Sequence, residues 1–388
     1  MRTYEGARQV AIEAKPKHQP TTKSYGWGYN NYGGLGAGHT AKVLSPTRVG
    51  LPSGTVDVQG GTDFTVALTH AGQVFTWGGN RWGQLGDGTT QPRFAPVRVR
   101  IRGNPTIVAI AVGDDHVVAL SKSGLVYGWG RNDLGQVGSG TLADRSARPV
   151  SVKVPGNGKV TQIAAGGACS LAIRSAGGLY AWGHATPFAE AVPASGLGAT
   201  HGGVGTVTAP VRLTLPRGVH AKDVDAGQRH LVVVTQDGEL LTYGVNAFGR
   251  SIPHKLALHR SWGRVNTVSV GDNHSLAITT RGVVLAWGSN KFGQLGTGST
   301  DHHDQPVKVV VPGFSGRVVQ VLAGGDTSYL QTPNQIYSWG HSGWGQNGTG
   351  GTDPALRARQ VKLPAHVKLT GMHSGRYHSF ATLTSVGR

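Results

Sequence analysis

Cysteine, methionine, acidic residues and long apolar runs are all scarce in this chain. A single cysteine in 388 residues excludes an intramolecular disulfide framework. Cys169 lies in the apolar run Ala168-Cys169-Ser170-Leu171-Ala172-Ile173 and reads as a small buried hydrophobe. A reactive thiol needs a cationic, partly exposed setting, which this stretch does not offer. No apolar run approaches the roughly 18 residues that cross a bilayer as a helix. The first residues, MRTYEGARQVAIEAKPKHQPTTK, hold no continuous apolar stretch, so they do not read as a signal peptide. Only 19 Asp and Glu stand against 37 Lys and Arg, a formal charge of +18. Such a field attracts nucleic acid, acidic protein, anionic lipid or acidic polymer and does not choose among them.

The motifs of chemistry are also missing. No Gly-x-x-x-x-Gly-Lys-Ser/Thr run is present to cradle phosphate. Ser, His and Asp are plentiful, but no local pattern singles out a nucleophile, so no catalytic residue and no cofactor is expected. Asp301-His302-His303-Asp304 carries metal-capable side chains, but adjacent residues rarely converge on one ion, so no metal site is expected.

What the chain does contain is glycine, 62 residues of it, with 38% hydrophobic residues spread evenly. That balance suits a turn-rich all-β protein and argues against disorder. Trp-Gly recurs at Trp27, Trp77, Trp129, Trp182, Trp287 and Trp339, with Tyr243-Gly244 filling the one gap. A period near fifty residues marks repeats that cannot bury their apolar face alone. The unit from Val268 to Thr300 reads as short strands: Val268 to Val270, Leu276 to Ile278 and Val283 to Trp287, with a tight turn at Thr280-Arg281-Gly282. Pro306 to Pro312 supplies a last strand bounded by prolines, which suit a sheet edge. Four antiparallel strands per repeat make one propeller blade.

A second motif, Gly-x-x-His or its variants, occurs at Gly61, Gly113, Gly166, Gly227, Gly271, Gly324 and Gly375. Both tallies give seven. The last such segment has no Trp-Gly strand after it, and the first Trp-Gly strand has no such segment before it. The expected fold is therefore an all-β, seven-bladed propeller over residues 24–388, closed by pairing of the N- and C-terminal strands. Residues 1–23 are expected to form a basic tail outside the ring.

Trp-Gly-x-Asn-x-aromatic-Gly-Gln-Leu-Gly-x-Gly, in residues 77–88 and 287–298, resembles the repeat of the regulator of chromosome condensation family. Residues 271–278, Gly-Asp-Asn-His-Ser-Leu-Ala-Ile, resemble its second signature. The resemblance implies a seven-bladed propeller. It leaves function open, since relatives include an exchange factor for the GTPase Ran that also binds nucleosomes, a plant ultraviolet-B photoreceptor and a secreted bacterial inhibitor of β-lactamase. Photoreception is not expected, because no Trp stands between the Gly and His of any repeat. Residues 184–209 depart from the repeat and are long for their place, so they are expected to protrude as a binding loop. The blade around Val245-Asn246-Ala247-Phe248-Gly249 is short.

The residues between Gly and His should ring the axis on one disc face. Asp63, Asp114, Asp115, Arg229, Asp272, Asn273, Asp326, Arg376 and Tyr377 are therefore the candidate partner-binding set, with turn capping as the competing role for the Asp residues. The resemblance implies that this face could meet a small GTPase. Basic residues recur in the outer strands: Arg98, Arg100 and Arg102 alternate along one strand, and Lys153, Arg212, Lys308 and Lys362 occupy related places. Such a belt could hold a phosphate backbone, or could be a solvated edge that blocks strand addition. The leading expectation is a monomeric, non-catalytic protein-binding scaffold. Nucleotide exchange and chromatin, DNA or other polyanion binding are the alternatives. Alanine or valine where many eukaryotic members carry cysteine, with few lysines and methionines, suggests a bacterial, exported relative, with cytoplasm or nucleus as the alternative for a eukaryotic chain.

Overall fold

Seven antiparallel sheets are arranged around one axis in a computed structural model that describes residues 22–192, 200–201, 204–245, 254–314, 316–365 and 367–385. Blade two shows the plan: Thr55–Gly60 lines the axis, followed outward by Phe64–Thr69, Val74–Gly78 and Arg93–Arg98. Blade one is assembled from both ends of the chain, its strands in order from the axis being Val367–Ser374, His378–Ser385, Thr22–Gly28 and Val43–Val49. Seven consecutive residue pairs, from Thr22↔Thr384 to Gly28↔His378, zip the termini together. The expected closure is thus present, with the first strand starting at Thr22 rather than residue 24. Residues 1–21 of the expected tail lie outside the described set.

The middle strands are apolar on both faces because each blade is sandwiched between two others. Phe64–Thr69 and His274–Thr279 are buried along their whole length. The Trp-Gly tryptophans lie in these seams, with Trp27, Trp77, Trp129, Trp182 and Trp339 fully buried. Four indole N–H groups donate to a carbonyl of the preceding blade: Trp27 to Gln346 (2.8 Å), Trp129 to Gln84 (3.0 Å), Trp182 to Gln136 (3.0 Å) and Trp339 to Gln294 (2.8 Å). These residues pack blades together and are closed to ligands.

The histidine of the second motif crosses the seam in the other direction. Nε2 of His116, His230, His274 and His378 meets the hydroxyl of Ser170, Ser275, Ser328 and Thr65 on the next blade at 2.8, 3.0, 2.8 and 2.8 Å. Ser170, Ser328 and Thr65 donate onward to carbonyls of Gln136, Gln294 and Gly34. With the hydroxyl hydrogen so committed, Nε2 must be the donor. The motif's glycine serves the same closeness. A Cβ on Gly61 would meet the Asp114 carbonyl at 2.7 Å, and one on Gly113 the Gly167 carbonyl at 2.8 Å.

Three expectations about the outer strands and insertions need correction. Pro306 lies inside the outer strand His303–Lys308, not at its start, where the register skips between Ala286↔Val307 and Gly288↔His303. Pro46, Pro96, Pro149 and Pro210 fall in equivalent skips, because a bulge leaves the proline nitrogen out of the ladder. The strand carrying Arg98 ends there, so Arg100 and Arg102 share no strand face with it. Lys153 and Lys362 likewise follow their strands. Finally, much of 184–209 does not protrude. His184 ends a strand, Phe188, Ala191 and Val192 are buried against the blade, and Val204–Arg212 is the outer strand itself. Residues 193–199 and 202–203 of that expected loop, and 246–253 of the short blade, lie outside the described set.

Candidate functional site

The two residues inside each Gly-x-x-His turn divide into an inner and an outer circle. First residues point across the axis. Arg376 of blade one reaches Asp114 of blade three (Nη1–Oδ2, 3.0 Å) and Asp272 of blade six (Nη2–Oδ2, 2.8 Å; Nε–Oδ2, 2.9 Å). Gln228 of blade five donates its amide to both Asp114 oxygens, at 2.9 and 2.8 Å. Beneath them the turn backbones bond blade to blade: Thr62 N–H to the Asp114 carbonyl, Asp114 to Gly167, Gln228 to Asp272 and Asp272 to Gly325, at 2.7–3.1 Å. The axial channel is thereby capped by charge pairing. The chamber below the cap has a volume of about 100 Å³, well under the roughly 300 Å³ of the smallest ordinary ligand pockets.

Burial disfavours the Arg376 cation, yet Asp114 and Asp272 overcome it and hold its pKa above the usual value. Burial pushes the Asp272 carboxyl up to about 6 although Arg376 works against it. Asp115 also rises to about 6, through burial first and then the nearby Asp114 and Asp63. Burial raises Asp63 and Asp326 as well, and each is steadied by one side-chain amide, from Gln84 and Gln294.

Second residues stand further out. The carbonyls of Asp63, Asp115, Arg229, Asn273, Asp326 and Tyr377 accept N–H groups from the end of the third strand, while their side chains face the third-to-outer connection. Arg229 and Asn273 are exposed, and Asp115 lies 3.7 Å from Arg131. All nine expected residues thus occupy one face, and three of them, Asp114, Asp272 and Arg376, meet at the axis.

The aromatic slot of the longer motif is a further part of this face, one not expected from the sequence. In that connection Asn80 accepts from Leu85 N–H (3.0 Å) and Gln84 from Trp82 N–H (2.8 Å), and Asn132, Asn290, Gln136 and Gln294 repeat the arrangement. The loop is so thoroughly self-bonded that its aromatic residue is left for the surface. Trp344 and Tyr32 remain 38% and 48% exposed. Arg131 and Arg81 lie over the Trp82 ring at 4.6 and 5.1 Å, and Lys291 lies 5.4 Å from the Phe292 ring. Tyr29 packs edge-on against both Trp344 and Tyr377. The signal was present as an aromatic with no partner in the strand pattern.

Serine–histidine pairs at 2.8 Å invite a catalytic reading, which burial rules out. His116, His274, Ser170 and Ser328 are sealed from solvent, and burial lowers the histidines to about 4 (His116) and 3 (His274). A base must reach substrate. Among the described residues no group of three or more potential metal ligands occurs, and no helix is long and apolar enough to cross a membrane.

A closed seven-bladed ring with a charge-capped axis and an aromatic, charged face defines a β-propeller of the recognition type. Residues 93–387 match the RCC1-like domain, and residues 24–68 match the regulator of chromosome condensation (RCC1) repeat. The chain belongs to this family. It is 34% identical over 287 residues to the ultraviolet-B receptor UVR8 of Arabidopsis thaliana, covering 71% of this chain and 62% of the receptor. It is 30% identical over 378 residues to the human E3 ubiquitin-protein ligase HERC2, covering 93% of this chain but 8% of that one. The fold is shared with Prp20p of Saccharomyces cerevisiae (TM-score 0.81, 21% identity, 95% of this chain and 92% of that one) and with human WBSCR16 (TM-score 0.80, 20% identity, 94% and 99%).

Proposed function

We propose that this chain is a non-catalytic protein-binding propeller whose turn face is the recognition surface. One observation carries the reading: rings and arginines, the side chains that dominate interface energetics, are held by repeated loops around a rigid, capped centre. Trp82, Phe292, Trp344, Tyr32 and Tyr377 present apolar area, while Arg131, Arg229, Asp115 and Asn273 set register and charge. The small axial chamber supports recognition of a surface over turnover of a small molecule.

Affinity capture from the native host tests this, using the wild-type protein, a Trp82→Ala/Trp344→Ala variant and an outer-strand Arg48→Gln variant. A partner retained by wild type and Arg48→Gln but lost with the aromatic variant supports the reading. A partner set unchanged by the aromatic variant contradicts it. Nucleotide exchange on a small GTPase is the second reading, motivated by Asp115 and Asp272 in the turns and by a shared fold with Prp20p, studied for binding to Gsp1p and histones. It requires accelerated nucleotide release that Asp115→Ala abolishes. Asp272 is a weaker candidate for direct contact, since Arg376 already occupies its carboxylate.

A further inference from the structure

The face opposite the turns carries a different charge. In each blade the third strand begins, and the outer strand ends, at this opposite face. Residues paired with the start of the third strand are therefore equivalent from blade to blade. Those pairs are Tyr25↔Arg48, Phe75↔Arg98, Tyr180↔Arg212, Leu241↔Lys255 and Leu285↔Lys308, so five of the seven blades place a cation on the same rung. All five side chains are exposed. Lys255 is held by Glu239; for the other four, no ion pair is formed among the described residues. Arg100, Lys153 and Lys362, in the connections that follow the outer strands, add exposed cations to the same face. Asp237 and Glu239, both in one hairpin, are the acidic residues among the described hairpins and outer-to-inner connections of this face. The outer-strand cations expected as a circumferential belt thus stand at one level of the disc, toward the face opposite the turns.

We propose that this face docks onto an anionic lipid surface. Repeat geometry holds the cations at a common height on five of the seven blades, Ser151 and Gln360 taking the rung in the other two, so a plane engages them all together. A nucleic-acid duplex laid across the disc would meet only those beneath its track. The exposed aliphatic residues here, Leu125, Val310 and Val319, lie in a hairpin and in outer-to-inner connections at the same level, 53, 55 and 42% exposed. Such side chains enter the interfacial layer of a bilayer. The most exposed large apolar side chains of this face are aliphatic, and the Trp262 ring is half-buried beside His259, which leaves little free ring surface on which bases would stack. The inference is independent of the protein-binding reading, which concerns the other face.

The test is co-sedimentation with vesicles of equal parts phosphatidylcholine and phosphatidylserine, and with pure phosphatidylcholine vesicles. Binding to the mixed vesicles alone, weakening as salt rises, is expected. Each cation near an anionic leaflet strengthens partitioning about fivefold, so Arg48→Gln/Arg98→Gln/Arg212→Gln/Lys308→Gln should weaken it by a factor of several hundred. Trp82→Ala/Trp344→Ala, on the turn face, should leave it unchanged, and circular dichroism checks the fold of both variants. Equal binding to both vesicle types, no binding to either, or binding insensitive to the four substitutions would overturn the proposal. Capture by a short DNA duplex with no retention on mixed vesicles would overturn it in favour of nucleic acid.

Discussion

Lowering the pH from 7 to 5 should destabilise this fold through its seam histidines. Burial holds His116, His230 and His378 at about 4 and His274 at about 3, against 6.5 for a free side chain. A group whose folded pKa is depressed in this way, when its charged form is the cation, takes up its proton first in the unfolded chain. Its stabilising contribution is intact above about 6.5 and is lost progressively as pH falls toward 4. At pH 5 each histidine loses about 2 kcal/mol, or about 8 kcal/mol for four. Asp115 and Asp272 act in the opposite sense. Their carboxyls are raised to about 6 in the fold, so between pH 7 and 5 they recover about 1–2 kcal/mol each. The histidines win, and the net loss is about 5 kcal/mol. With a slope of about 3 kcal/mol per M, the urea midpoint read from tryptophan fluorescence should fall by about 1.7 M. His274→Gln lacks one titrating group and should show a smaller pH dependence by about 2 kcal/mol. A midpoint that stays constant from pH 7 to 5, or a His274→Gln variant with undiminished pH dependence, would refute the reasoning.

Gly113→Ala forces a methyl group against the Gly167 carbonyl of the next blade and should cost about 2 kcal/mol or more, measured as a lowered urea midpoint. Trp129→Phe keeps most of the ring but leaves the Gln84 carbonyl without its indole donor, with an expected loss of about 1–3 kcal/mol in the same assay. Arg376→Gln leaves Asp114 and Asp272 facing each other under the cap. The variant should be destabilised most at neutral pH and partly recover near pH 5, where protonation of Asp272 removes the repulsion, and a deficit independent of pH would contradict the ion pair's role. Ser24→Cys with Thr382→Cys, which face each other across the terminal strands, should form an intramolecular disulfide under oxidation, seen as faster migration without a dimer band.

Blade number, ring closure and the location of the turn residues were legible because each is written in a local period: Trp-Gly for the third strand, Gly-x-x-His for the turn at the axis. Outer-strand limits were misplaced because proline was taken as a boundary, whereas a bulge accommodates Pro306 inside the strand. The reach of residues 184–209 was misread for a related reason. Phe188 and Val192 turn inward, a tertiary choice that loop length does not reveal. The Asp114–Arg376–Asp272 bridge is illegible in principle from one repeat, since it joins blades one, three and six across an axis that only the closed ring creates. The aromatic slot was visible as residue type but hidden as surface, because the self-bonding of Asn80 and Gln84 within their own loop decides that Trp82 faces outward.

Amide hydrogen exchange on the captured complex tests the central claim most directly, namely that recognition happens on the turn face. The account predicts slowed exchange in the connections around Trp82, Phe292 and Trp344 and in the turns near Asp115, Asn273 and Tyr377, with the hairpins of the opposite face unaltered. Protection confined to those hairpins or to the outer strands, with the turn connections exchanging as in the free protein, would contradict it.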